Sequence, residues 1–225
     1  MRTVDRVLPA LPGYPGRGIV AFRDDGGELW WMYFLTGRSP ASRQRAFQAE
    51  PDRLAVVPKQ EACHDILRHY TCARMAASRL IVGNGDHVDQ LTVALTTDLS
   101  LVEAIKEFEP EPDPPILTPR LAIIYGQGTE PVEILTVHAV GDTTQRLIKP
   151  VELARGQGVI VHTYRGDTTT VTSDARPRLF EARSESPHDL AATLWDELDD
   201  GLRVGLALGR APGPNPVLIL SNTAA

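Results

Sequence analysis

Arg17-Gly18-Ile19-Val20-Ala21-Phe22, the turn Asp25-Gly26-Gly27, and Glu28-Leu29-Trp30-Trp31-Met32-Tyr33-Phe34-Leu35-Thr36 decide how the rest of the chain reads. Two runs of β-branched, aromatic and leucine residues flank a glycine turn, which predicts two strands. Outward from this pair the same pattern recurs at Arg53–Pro58, Tyr70–Ala76, Arg79–Gly83, Arg120–Gly126, Val132–Val140 and Val159–Tyr164. Leu202–Leu208 and Pro216–Ser221 close the chain as two further strands. Helix signals are fewer. Ser100 with Glu103 reads as a capping box opening a helix to about Phe108, and Asp89–Leu95 reads as a shorter helix before it. Ser186-Pro187-His188-Asp189 opens an amphipathic run to Leu198, with Ala191, Leu194, Trp195 and Leu198 on its buried face. The totals describe an α+β protein whose sheets carry most of the core.

The Pro-rich stretch Glu109–Pro119 is too short for an interdomain linker, and a strand starts at once at Arg120. It reads as a shaped loop, and residues 1–225 as a single domain. Hydrophobic residues make up 42% and charged residues 23%, ordinary values for a globular protein. The net charge of −6 speaks against a general nucleic-acid surface, although a local arginine cluster can still hold one phosphate ester. No apolar run approaches the roughly 20 residues that span a bilayer, so no membrane partner is expected. Residues Met1 to Pro12 lack the apolar core of a secretion signal. Cys63 and Cys72 are too few for a disulfide framework, and the cytoplasm is the default location.

Five polar clusters sit at strand ends and turns, where a rigid scaffold presents them. Arg38, Ser39, Ser42, Arg43 and Arg45 follow an aromatic strand. Arginine forks match phosphate oxygens and serine hydroxyls add short bonds, so this is either a phosphate loop or a solvated hairpin tip. Tyr70, Cys72 and Arg74 share one strand face, facing a ligand or forming an ordinary half-buried pair around an inert thiol. Asn84-Gly85-Asp86-His87-Val88-Asp89 is a turn entering a helix, where amides could bind an anion or Asp89 could cap. Six histidines without a zinc-like spacing argue against a dedicated metal site. Four prolines between Pro112 and Pro119 stiffen the backbone around Glu111, Asp113 and Arg120, which suits a preorganised acid or base and equally a structural crossover. His162-Thr163-Tyr164 ends a strand and is weak alone, and Gly126-Gln127-Gly128 is too bare for a dinucleotide motif.

In order, these segments resemble the archaeal-type IMP cyclohydrolase family, including its bacterial branch. The resemblance rests on Tyr14-Pro15-Gly16-Arg17-Gly18-Ile19-Val20, Tyr33-Phe34, Gly37-Arg38-Ser39 with Ser42-Arg43, and Tyr70 with Arg74. It continues through Asn84-Gly85-Asp86 with Asp89, Glu111-Pro112-Asp113, Thr118-Pro119-Arg120 and His162-Thr163-Tyr164. It implies a four-layer αββα sandwich similar to N-terminal-nucleophile hydrolases, without their nucleophile. It also implies a cofactor-independent ring closure of 5-formamidoimidazole-4-carboxamide ribotide to inosine monophosphate, and hence a small purine ribonucleotide as partner. A homo-oligomer is compatible with the sequence.

Carried over residue by residue, the family pattern assigns catalysis to Arg43, Tyr70 and Glu111. It assigns substrate contacts to Arg17, Arg38, Ser42, Asn84, Gly85, Asp86, Arg120, His162 and Tyr164, and no metal ligands. Glu109 is the rival for Glu111, but the spacing from Glu111 to Thr118 fits the family without an insertion. The competing readings are the same scaffold retuned to another carboxamide or formamide nucleotide, and a non-catalytic purine-nucleotide binder. The weakest is an autoprocessed amide hydrolase, which would need cleavage to expose a nucleophile. The purified chain should therefore show an intact mass near 24.6 kDa; loss of an N-terminal fragment ahead of a new Cys, Ser or Thr would favour the autoprocessed reading.

Overall fold

A computed structural model describes residues 11, 13–60, 65–182 and 186–222. Cys63 and almost all of the Met1–Pro12 segment lie outside the described residues. The opening hairpin forms as β1 (Arg17–Arg23) and β2 (Leu29–Thr36). A one-turn helix, α1 (Pro40–Arg43), leads to β3 (Arg45–Glu50), β4 (Arg53–Pro58), β5 (Tyr70–Ala76) and β6 (Arg79–Gly83). Helices α2 (His87–Thr96) and α3 (Leu101–Ile105) come next, followed by β7 (Arg120–Tyr125), β8 (Val132–Val140), β9 (Thr143–Val151) and β10 (Gln157–His162). The chain ends with β11 (Tyr164–Arg165), β12 (Thr172–Ser173), β13 (Arg178–Glu181), α4 (Pro187–Glu197), β14 (Arg203–Arg210) and β15 (Pro216–Ser221).

Three sheets result. One has six strands in the order β13-β10-β1-β2-β14-β15, one has seven in the order β3-β4-β5-β6-β7-β8-β9, and β11 pairs with β12 alone. Every pair of neighbouring strands in the two large sheets runs antiparallel. Strand alternation sorts the apolar side chains by face. Ile19, Trp31 and Tyr33 of the six-stranded sheet meet Leu54, Leu80, Val82 and Ile123 of the seven-stranded sheet in one core. The intervening residues point outward. Val20, Met32, Phe34 and Ile160 pack with Leu190, Ala191 and Leu194 of α4, while Ile81, Ala122 and Ile124 pack with Val88 and Leu91 of α2. Each Val, Leu, Ile, Phe or Met among them contributes about 1.5–3 kcal/mol on burial, and both faces of the central strands are covered.

Glycines opposite aromatics tighten the six-stranded sheet. Gly18 pairs with Phe34, and Gly158 pairs with Phe180. A Cβ on Gly158 would fall 2.2 Å from the Phe180 ring, so the ring lies over bare backbone.

The expected α+β four-layer αββα sandwich is overturned. Strand accounts for 45% of the described residues and helix for 15%, in three mostly antiparallel sheets. Two physical features produce the difference. The helices are short, at most 11 residues, while segments without strong apolar alternation, Arg45–Glu50, Thr143–Val151 and Arg178–Glu181, become strands by pairing at sheet margins. The capping box at Ser100 forms as expected, but α3 stops at Ile105. Asp89 lies inside α2 rather than capping it, and accepts from Thr71 Oγ1 and Arg74 Nη1. Trp195 is only half-buried on α4, and Arg203 stacks over it at 4.6 Å. Among the described residues no helix is long and apolar enough to cross a membrane.

Gly158→Ala should therefore destabilise the fold by about 1–3 kcal/mol through overpacking against Phe180. Urea denaturation measures this, and a change below about 0.5 kcal/mol would contradict the packing assigned here.

Candidate functional site

The two large sheets leave a cavity of about 510 Å³ bordered by the start of β1, the end of β2, α1, the loop before β5 and the Pro-rich loop before β7. That size suits a small-molecule ligand. Its lining carries four arginines, Arg17, Arg38, Arg45 and Arg68, with Ser39 and Ser42, beside Glu111, Asp113 and Tyr164.

Arg17 opens β1 and its position is set from behind. The Tyr14 hydroxyl donates to the Arg17 carbonyl at 2.8 Å, and the Thr163 backbone N–H donates to that hydroxyl at 3.0 Å. The guanidinium then bridges the sheets. Nη1 donates to the Asn84 carbonyl at 2.6 Å, beyond the end of β6, and Nη2 donates to Glu111 Oε2 at 2.7 Å. Both side chains are buried, at 8% and 4% exposure. The same guanidinium sits 5.7 Å over the Tyr70 ring, whose hydroxyl shares a 2.8 Å hydrogen bond with Tyr33. These rings form an electron-rich floor beneath the cation.

Glu111 is held by its loop. Its N–H donates to the Thr118 carbonyl at 2.8 Å. Asp113 accepts from the Thr118 N–H at 2.7 Å and from its hydroxyl at 2.5 Å, and Thr118 Oγ1 also meets the Tyr164 hydroxyl at 2.5 Å. Burial raises the Glu111 carboxyl above its ordinary value, against the pull of Arg17. Burial opposes the charge on Arg17 as well, but Glu111 and the neighbouring phenols outweigh it and hold its pKa well above the ordinary value. The pair can thus store or release a proton at the carboxyl while the cation stays fixed.

The other cavity arginines are held differently. Arg45 is buried and donates to the carbonyls of Ser42 at 2.7 Å and Thr36 at 3.0 Å. Among the described residues no carboxylate forms a salt bridge with it, and burial lowers its pKa. A buried guanidinium held only by carbonyls favours an incoming anion. Arg38 stacks 5.8 Å over Tyr164 at the rim.

The sequence-derived residues fall into three positions. Arg17, Arg38, Ser42, Glu111 and Tyr164 line the cavity. Tyr70 lies one layer below, under Arg17. Asn84, Gly85, Asp86 and Arg120 form a supporting shell behind Glu111: the Asn84 amide ties Pro119 O to the Leu121 N–H, and Arg120 pairs with Asp86. His162 sits behind Arg17's strand, its Nδ1 2.7 Å from the Tyr164 carbonyl and its ring edge-on to Tyr14. The structure does not bring Arg43 to the cavity, because its guanidinium turns back onto the Gly37 and Arg38 carbonyls. Glu109 is likewise outside, paired with Arg146 at the surface. Cys72 is fully buried, with its thiol pushed up by burial. Among the described residues no group of three metal-ligating side chains gathers.

Arg45 and Asp113 are cavity residues that the sequence placed in polar clusters without a role of their own, and Arg68 is one it did not single out. Arg45 shares a strand face with Phe47, which packs edge-on against Tyr33 at 6.0 Å, but the segment did not read as a strand and so gave no such pairing. Arg68 gave no signal either, since it lies in an irregular loop beside Asp65.

The fold and cavity define an antiparallel β-sheet protein with an arginine-lined cavity over a buried acid–cation pair. The sequence model of the IMP cyclohydrolase-like protein family matches residues 14–210, and the chain belongs to that family. It is 29% identical over 163 residues to the IMP cyclohydrolase of Haloquadratum walsbyi (strain DSM 16790 / HBSQ001), covering 70% of this chain and 74% of that relative.

Removing one member of the buried pair should be costly. Arg17→Met is expected to lose on the order of 3–5 kcal/mol of stability, and Arg17→Met/Glu111→Gln less than the sum of the single variants. Additive losses in urea titrations would show that the two groups do not depend on each other.

Proposed function

We propose that this protein is a cyclohydrolase that closes 5-formamidoimidazole-4-carboxamide ribotide to inosine monophosphate in cytoplasmic purine biosynthesis, acting as one domain. The observation that carries this reading is the buried Arg17–Glu111 pair under a cavity edged by three arginines. Membership of the family supports it.

The reaction joins the carboxamide nitrogen to the formyl carbon and expels the formyl oxygen as water. Arg38, Arg45 and Arg68, with Ser39 and Ser42, hold the ribose phosphate and fix the base end over Arg17 and Glu111. Positioning of this kind supplies much of the rate when two groups of one molecule must meet. Glu111 takes a proton from the carboxamide nitrogen as it attacks. The Arg17 guanidinium, braced by Asn84, Glu111 and the Tyr70 ring, faces the developing oxyanion. Glu111 then returns its proton to that oxygen. The formamido nitrogen gives up its own proton as the C–O bond breaks, which completes the water and the new C=N bond. Tyr70 acts from below Arg17, and Arg43 acts by shaping the loop that carries Arg38.

Purified protein should convert the ribotide to inosine monophosphate, followed by absorbance and confirmed by chromatography, and EDTA should leave the rate unchanged. Glu111→Gln should lower kcat by about 10²–10⁴-fold, the range for loss of a general acid–base group. Turnover with EDTA-sensitive rates would show a metal requirement; saturable binding without turnover would favour a retuned enzyme or a binder.

The raised Glu111 pKa sets the pH dependence. As a base it must be ionised, so kcat/KM should rise with pH through a limb above about 4.3, the ordinary glutamate value. An acid limb at or below that value would contradict the assignment.

A further inference from the structure

Gly85 lies between two anchored residues: the Asn84 carbonyl accepts from Arg17, and Asp86 pairs with Arg120. Its backbone does not adopt a positive φ, so conformation alone does not call for glycine. Space does. A Cβ here would fall 3.1 Å from Glu111 Oε1, 3.3 Å from His87 Nδ1 and 3.6 Å from Arg120 Nη1. Three polar atoms from three different segments thus converge on one recess.

His87 is fully buried at the start of α2. Its Nε2 stands 3.0 Å from the Leu121 carbonyl. A carbonyl only accepts, so Nε2 carries the hydrogen and Nδ1 of the neutral ring presents a lone pair. Burial, then the nearby Arg120, lowers the His87 pKa to about 3, which keeps the ring neutral. Nδ1 has no hydrogen-bond partner in the structure, and a buried acceptor left in that condition is costly. Glu111 uses Oε2 for Arg17 and turns Oε1 towards the recess. The charged groups acting on this cluster are Arg17, Asp86, Asp113 and Arg120.

We propose that His87 is a positioning residue for Glu111, coupled to Oε1 through a single water seated in the recess over Gly85. The donor count closes. The water gives one hydrogen to His87 Nδ1 and one to the ionised Glu111, and accepts from Arg120 Nη1. When Glu111 is protonated, the negative charge that met the water's hydrogen is gone, and the water's bond to His87 Nδ1 changes with it. His87 thereby keeps the Glu111 carboxyl in one orientation through the water. The consequence for the rate rests on the cyclohydrolase reading; the coupling itself does not.

The test uses the ligand-free full chain with ¹⁵N-labelled histidine, observed by NMR across the Glu111 titration. The expected result is an Nε2–H tautomer for His87, with an Nδ1 resonance that steps as Glu111 titrates. That step should vanish in Glu111→Gln and in Gly85→Ala, whose methyl fills the recess. An Nδ1–H tautomer, or an Nδ1 resonance flat through the Glu111 titration, overturns the proposal whether or not the protein turns over the ribotide. Where turnover is present, His87→Leu should lower kcat about 10-fold and move the acid limb, with KM changed less than 2-fold. His87→Gln, which retains a donor and an acceptor, should recover most of the rate. An unmoved acid limb in a folded His87→Leu protein also overturns it, and an absence of turnover in the parent protein counts against the proposed reaction alone.

Discussion

The salt bridge between Arg17 and Glu111 is the constraint around which the molecule is arranged. Burying two charges costs several kcal/mol per ion unless the geometry is good and the remaining donors are satisfied. Both conditions are met by structure far apart in sequence. Arg17 begins a strand of the six-stranded sheet, Asn84 follows a strand of the seven-stranded sheet, and Glu111 belongs to the loop that leads into the latter. One guanidinium therefore closes the gap between sheets at the place where the cavity opens. The prolines around Glu111 and the Asp113–Thr118 clamp keep the carboxyl from escaping to water.

The apolar core makes this affordable by fixing the strand faces first. Alternation places Ile19 inward and Val20 outward on β1, which sends Arg17 into the space between the sheets. Tyr33 and Tyr70 then form its underside. The rim shows the complementary arrangement. Arg45 is held by backbone carbonyls and forms no salt bridge among the described residues, whereas Arg120 pairs with Asp86 and serves as a brace. In the proposed reaction the first kind of arginine would hold the anion, and the Arg17–Glu111 pair would handle the proton.

Much of this was legible in the sequence, for identifiable reasons. Strands such as Arg53–Pro58, Tyr70–Ala76, Arg79–Gly83 and Val132–Val140 carry dense apolar runs with clear turns, and they form where expected. The layer architecture was not, because β3, β9 and β13 become strands only through their neighbours, and their half-exposed patterns mimic loops. In the site, Glu111 stands out through its proline setting. Arg43 and Arg45 are two residues apart and chemically identical, and only the change from α1, which Arg43 ends, to β3, which Arg45 opens, separates them. Arg68 carries no local signal. His87 drew no role of its own from the sequence, because Leu121 and the atoms over Gly85 are its neighbours only in the folded chain.

A crystal structure of Glu111→Gln with the formamido ribotide bound tests the central claim most directly. The phosphate is expected against Arg38, Arg45 and Arg68, and the formyl and carboxamide groups against Arg17 and the substituted side chain. A ribotide bound in the opposite sense, or with its base remote from position 111, would contradict it.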